Sequence, residues 1–134
     1  MKRILAIDYG QKRTGLAWTD KEQKVPLPLE TIDTAKIWER LPHLIPEVEL
    51  VIVGYPRRLD GRPTDMTGPV GNFVRLFRQR FPAIPLQLVE ERLSTQAALH
   101  YIQALPQALR RDKGIQDQIA AAVLLDTYLI RTRR

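Results

Sequence analysis

Three carboxylates carry the chemistry this chain could perform. Asp8 ends an apolar run, Ile4 to Ile7. Glu91 follows another, Pro85 to Val89. Asp117 lies on a helical stripe with Ala120, Ala121, Leu124 and Tyr128, an otherwise apolar face expected to pack on a sheet. An acid at the edge of a core element is costly unless it is paired or holds a metal. Each one alone has an ordinary explanation. Asp8 could pair with Lys12 or Arg13 in its own turn. Glu90 and Glu91 could pair with Arg92. Asp117, like Asp112, could be an acid that the helix macrodipole favours near a helix start. Together, at the ends of three core elements, they could converge on one point. An all-oxygen donor set without a His or Cys cluster suits a hard cation, Mg2+ or Mn2+. Two such ions, roughly 3.5–4 Å apart, would clamp the attacking and leaving oxygens of a phosphodiester, with the acids as ligands and not as proton donors.

The elements that must position these acids follow from pattern. Arg3 to Asp8 is nearly continuous in apolar residues, as in a central strand buried on both faces. Thr14 to Thr19 returns from a Gly-containing turn as a second strand. Val25 to Ile32 alternates Pro26 and Pro28, which places it at a sheet edge. Asp33 or Thr34 would cap a helix over Ala35 to Leu44, kept short by Pro42 and Pro46. Leu50 to Val53 reads as a buried strand parallel to the first. Tyr55 to Gly71 is a long polar loop, a length that usually signals function or mobility. Val70, Phe73, Val74 and Phe77 recur at helical spacing, so the second half of this segment is expected to begin a helix running to Phe81. Pro85 to Val89 is a fifth strand. Ser94 or Thr95 would cap a helix over Gln96 to Leu105, stopped by Pro106. A last helix is expected from about Ile115 to Ile130. The reading is an α/β fold: one domain over residues 1–134, a mixed five-stranded sheet made of a three-strand antiparallel meander plus two parallel strands, with helices on both faces.

The composition narrows the function. The chain has 134 residues, a net charge of +6 and a sequence pI near 10.0. That balance favours an anionic partner, nucleic acid ahead of a membrane surface. No cysteine is present, which removes disulfides and thiolate zinc sites. The first residues hold too few apolar side chains for a signal peptide, and no apolar run would span a bilayer, so a cytoplasmic location is expected.

Three motifs resemble those of the bacterial YqgF/RuvX family, within the ribonuclease H-like superfamily. Ile7-Asp8-Tyr9-Gly10 through Lys12-Arg13-Thr14-Gly15-Leu16-Ala17 is similar to its DxGxKRxGxA pattern. Glu90-Glu91-Arg92-Leu93-Ser94-Thr95 is similar to its DERLST pattern, with Glu90 where Asp is usual. Lys113-Gly114-Ile115-Gln116-Asp117 with Ala120-Ala121 is similar to its KGxxD…AA pattern, with Gln116 where an apolar residue is common. Val53-Gly54-Tyr55-Pro56 with Asp60-Gly61 also resembles the family's segment after the fourth strand. The resemblance spans nearly the whole chain. It implies a ribonuclease H-like fold and a metal-dependent nuclease with Asp8, Glu91 and Asp117 at the catalytic, metal-binding positions. It further implies maturation of the 5′ end of pre-16S ribosomal RNA or, as the alternative, resolution of Holliday junctions in DNA. A resolvase would need two active sites and therefore a homodimer; the RNA role is compatible with a monomer.

Cations beside the acids, Lys12, Arg13, Arg92 and Lys113, are the candidates for gripping phosphates around the cut. Arg57 and Arg58 on the long loop could follow a nucleic-acid backbone. Plain solvation or charge balance is the competing explanation for each. Two other functions stand against a nuclease. A nucleotide phosphotransferase of the actin and sugar-kinase type opens with a similar acid-then-glycine hairpin, but 134 residues are too few for its two lobes. A non-catalytic nucleic-acid-binding module would not need three acids.

Overall fold

The computed structural model describes residues 2–55, 67–90 and 101–132. Strands β1 (Arg3–Asp8), β2 (Arg13–Thr19) and β3 (Pro26–Asp33) form the meander. A 3-10 turn, Thr34–Lys36, leads into α1 (Ile37–Leu44), and a second, Ile45–Glu47, leads into β4 (Val48–Tyr55). Helix α2 (Thr67–Arg80) precedes β5 (Leu86–Glu90). After a helical stretch at 101–103 come one turn of helix, α3 (Gln107–Arg110), and the long α4 (Lys113–Thr132). The sheet order is β3-β2-β1-β4-β5, with β1 antiparallel to β2, β2 antiparallel to β3, and β4 parallel to both β1 and β5. This is the mixed sheet the pattern predicts, with β1 central and the proline-bearing β3 at an edge.

Alternation along β1 divides the core in two. Leu5 and Ile7 join Leu16, Val51 and Val53 under α1 and α2. Phe73 and Phe77 fill that layer, and their rings lie 6.2 Å apart by centroids. Ile4 and Ala6 point the other way, with Ala17, Ile52 and Val89, against Ala121, Leu124, Leu125 and Leu129 of α4. Small side chains at Ala6, Ala17 and Ala121 bring that helix close to the sheet.

Several boundaries differ from the pattern. β4 starts two residues earlier and ends two later than Leu50 to Val53, because Val48 still pairs with Arg3 and Tyr55 with Glu90. Helix α2 begins at Thr67, within the second half of Tyr55 to Gly71 as expected, and ends at Arg80, one residue short of Phe81. Helix α1 starts at Ile37, two residues after the expected Ala35, and ends at Leu44 as expected; Pro42 lies inside it and forgoes the bond an N–H there would make to Trp38. Neither Asp33 nor Thr34 caps this segment through its side chain. Thr34 is buried and bonded elsewhere. The expected cap at Ser94 or Thr95, and the helix from Gln96 as far as residue 100, lie outside the described residues.

Candidate active site

Asp8 is the last residue of β1, and its partner across the ladder is Gly15 of β2. Residues directly opposite in an antiparallel pair share a face. That face is the α4 side, because Ile4 and Ala6 on β1 and Ala17 on β2 all pack there. Gly15 meets α4 at Asp117. A β-carbon built on Gly15 would lie 2.1 Å from the Asp117 carbonyl oxygen and 3.1 Å from the Asp117 Cβ. Only a residue without a side chain allows this approach. Asp8 and Asp117 are therefore brought to the two sides of one glycine.

The start of α4 is fixed by more than packing. Asp112 is its N-cap: Oδ1 accepts the Ile115 N–H at 3.0 Å, and the Asp112 carbonyl accepts the Gln116 N–H at 3.0 Å. The Gln116 side-chain amide donates to the Arg110 carbonyl. The Thr31 hydroxyl, on β3, donates to the Gly114 carbonyl. Asp117 thus stands in the second turn of the helix, and Asp112 meets the macrodipole. The Asp117 carboxylate has a different partner, Arg13, whose Nε donates to Oδ2 at 2.9 Å. With side chains 40% and 26% exposed, this pair adds little net stability.

Arg13 itself is held by a pinned turn. A β-carbon on Gly10 would lie 2.2 Å from the Arg13 carbonyl oxygen, so the turn closes tightly on this second glycine. The Thr34 hydroxyl donates to the Gly10 carbonyl at 2.6 Å, and the Thr34 N–H to the Lys12 carbonyl at 2.9 Å. With its proton used there, the Thr34 oxygen accepts from Thr14 Oγ1 at 2.8 Å. Tyr9 leaves β1 on the opposite side from Asp8 and stacks on Phe73, ring centroids 4.8 Å apart. Burial raises the Tyr9 phenol above its usual 10.0, so it stays neutral at physiological pH.

Of the residues singled out in the sequence, Asp8 and Asp117 are brought together. Glu91 lies outside the described residues, as do Arg57, Arg58 and Arg92. The chain reaches Glu91 directly from Glu90, the last residue of β5. Tyr55 of β4 pairs with Glu90, and Val53 of β4 with Ile7, so β1, β4 and β5 end at the same edge of the sheet. Lys12 and Lys113 are exposed on the two segments that carry Asp8 and Asp117. Arg13, expected either to grip phosphate or to balance Asp8, pairs with Asp117. Among the described residues no group of three or more His, Cys, Asp or Glu could hold a metal. The two described acids offer only carboxylate oxygens, which fits a hard cation. Thr31 and Thr34 were not legible as site residues, since a threonine in a strand or before a helix has commoner roles. Gly15 did carry a signal: glycine inside a strand often marks another backbone approaching closely.

Comparison with known proteins identifies the family and the fold. The family described as "RuvX: Holliday junction resolvase" matches residues 2–131. A protein of Chlorobium phaeobacteroides named "Putative pre-16S rRNA nuclease" is 40% identical, with 98% of this chain and 94% of the relative covered. A protein of Flavobacterium psychrophilum with the same name is 37% identical, with 98% of each covered. Among solved structures, the fowlpox virus resolvase bound to Holliday junction DNA superposes with a TM-score of 0.68 at 15% identity, covering 98% of this chain and 99% of that one. RuvC of T. thermophilus, in complex with a Holliday junction substrate, gives 0.60 at 18% identity, covering 99% and 98%. At those identities the likeness shows the fold, which is that of the ribonuclease H-like resolvases.

Proposed function

The chain belongs to the RuvX family, and from that membership and the meeting of Asp8 with Asp117 at Gly15 we propose that it is a metal-dependent nuclease processing the 5′ end of pre-16S rRNA. The observation that carries the reading is the close approach of Asp117 to Gly15, the ladder partner of Asp8: residues from opposite ends of the chain put two acids on one face at the end of the central strand. Asp8, Asp117 and Glu91 are the ligands in this reading, and Mg2+ or Mn2+ the cation, with two ions per site. When bound, such a pair supplies an activated water and offsets the charge developing on the leaving oxygen. The protein's own part is positional. β1 holds Asp8 on a rigid central strand, and the anchored start of α4 holds Asp117 opposite it. Lys12 and Lys113, with Arg57, Arg58 and Arg92, attract the phosphates that flank the cut. The 134 residues act as one domain in the cytoplasm, and among the described residues no helix is long and apolar enough to cross a membrane.

The second reading is Holliday junction resolution. It is favoured by the description of the family and by the two resolvases whose fold the chain shares. It requires a homodimer presenting two sites, so a monomeric mass in solution favours RNA processing. The experiment is cleavage of pre-16S rRNA fragments and of four-way DNA junctions with Mg2+ or Mn2+. Asp8→Asn is expected to abolish cutting while leaving binding within a few fold. If the Asn variant cuts like the native chain, the assignment of the site fails.

A further inference from the structure

We infer that Arg13 is a positioning residue for Asp117 and not a phosphate clamp. The inference rests on the nuclease reading above and assigns a task inside it. The Nε of Arg13 donates to Oδ2 of Asp117 at 2.9 Å. A carboxylate has two oxygens; the bond at Oδ2 fixes the plane of the group and turns Oδ1 toward a cation. The pair joins the first residue of β2 to the second turn of α4. It runs beside the place where Gly15 touches the Asp117 backbone. Backbone contact sets where Asp117 stands, and Arg13 sets how its carboxylate is turned.

The geometry of the donor itself supports this role. Arg13 uses Nε, the nitrogen nearest the backbone, on a stem whose own carbonyl is packed against Gly10. The turn preceding it is clasped by Thr34 at the Gly10 and Lys12 carbonyls. A side chain that grips a mobile polyanion profits from reach and freedom. Arg13 instead starts from a pinned backbone and engages a fixed acid through Nε. Lys12, its neighbour, is exposed and better suited to phosphate.

The test exploits a near-isosteric replacement. The side-chain amide of glutamine places a nitrogen where arginine has Nε, so Arg13→Gln keeps a donor for Oδ2 and removes the charge. Arg13→Leu removes both. Mn2+ alone is titrated calorimetrically into the native chain, both variants and Asp117→Asn, and binding to a pre-rRNA fragment is measured in the absence of divalent metal. A positioning role predicts that Arg13→Leu weakens Mn2+ binding by about 10- to 100-fold, the usual effect of losing a partner that orients a ligand. It predicts that Arg13→Gln binds Mn2+ at least as tightly as the native chain, and that neither changes RNA affinity more than about twofold. A phosphate clamp predicts the opposite: unchanged Mn2+ affinity, RNA affinity lowered alike in both variants, and a salt slope shallower by about one. That result overturns the inference. If Asp117→Asn leaves Mn2+ binding intact, it is the metal site itself that has failed; if Asp117→Asn weakens binding and Arg13→Leu does not, only the role of Arg13 is lost.

Discussion

Replacing Gly15 by alanine tests the site through a single methyl group. The added carbon would sit 2.1 Å from the Asp117 carbonyl oxygen and 2.5 Å from its carbonyl carbon. Ordinary contact begins near 3.4 Å, so β2 and α4 must separate locally by about 1.3 Å. Both obstacles are backbone atoms, and no rotamer change relieves them. Gly15 lies mid-strand, bonded between β1 and β3, so the strand cannot yield alone. The helix must move instead, and it is tied down at Asp112, Thr31 and Arg13. Forcing one carbon into such packing costs about 1–3 kcal/mol. The melting temperature of a domain of this size should fall by roughly 3–6 °C per kcal/mol. The larger effect is on chemistry: a misplacement of about 1 Å at a reacting group can cost on the order of 100-fold in rate. Gly15→Ala should therefore remain folded by circular dichroism, melt earlier, and cut at most about one-hundredth as fast under saturating metal. Gly71→Ala is the matched control, since nothing lies within 4 Å of a β-carbon there and the residue is within α2. It should be neutral or stabilise by about 0.5–1 kcal/mol. If Gly15→Ala melts and cuts like the native chain, Gly15 does not set the separation of Asp8 and Asp117.

Two further outcomes concern the supports. Asp112→Ala removes the N-cap of α4 and should cost about 1 kcal/mol in a thermal melt; an unchanged melt would mean that the bond to Ile115 is not formed in solution. At the distal turn, Asp20 Oδ1 accepts the Val25 and Lys24 N–H groups at 2.8 Å each, and these bonds, that from Val25 foremost, hold its carboxyl below the usual 3.8. The folded value is lowered, so its contribution is present above the unfolded value and lost as pH falls through the folded one. The urea midpoint of the native chain should exceed that of Asp20→Ala at pH 7, and the gap should close on acidification below about pH 4; a gap independent of pH would exclude this cause.

The central elements were legible because their residues say one thing at every level. β1 is apolar throughout and ends in an acid, and its observed limits are those its pattern marks. The α2 stripe of Val70, Phe73, Val74 and Phe77 is buried as its spacing requires. β4 was read too short because Glu49 and Gly54 interrupt the apolar run, although strand pairing depends on the backbone and tolerates them near the ends. Thr34 was misread for a specific reason. A threonine ahead of a helix normally bonds the helix N–H groups, but here its hydroxyl finds the Gly10 carbonyl, a contact across the fold that no local pattern encodes. Arg13 shows the same limit. The sequence offered it Asp8 or a substrate phosphate, and the acid it meets, Asp117, is far along the chain.

The two faces of the sheet both stabilise the fold, and they hold the site in different ways. On the α1 and α2 side the buried residues are large: Leu5, Ile7, Leu16, Phe73 and Phe77. Truncating one of these leaves a cavity, and Phe to Ala in such a place costs about 3–5 kcal/mol. On the α4 side large residues are buried too, Ile4, Ile52, Leu124, Leu125 and Leu129, but small ones, Ala6, Gly15, Ala17 and Ala121, stand among them. Truncating the large ones leaves cavities as on the other face; the small ones have little volume to lose. Enlargement is what this side cannot bear, because each added methyl pushes α4, and Asp117 with it, away from Asp8. The aromatic stack of Tyr9 on Phe73 links the halves: it anchors the residue after Asp8 to the large-residue core. Asp8 is thus anchored through Tyr9 to the α1 and α2 layer, and Asp117 is brought to it where the α4 layer narrows to Gly15.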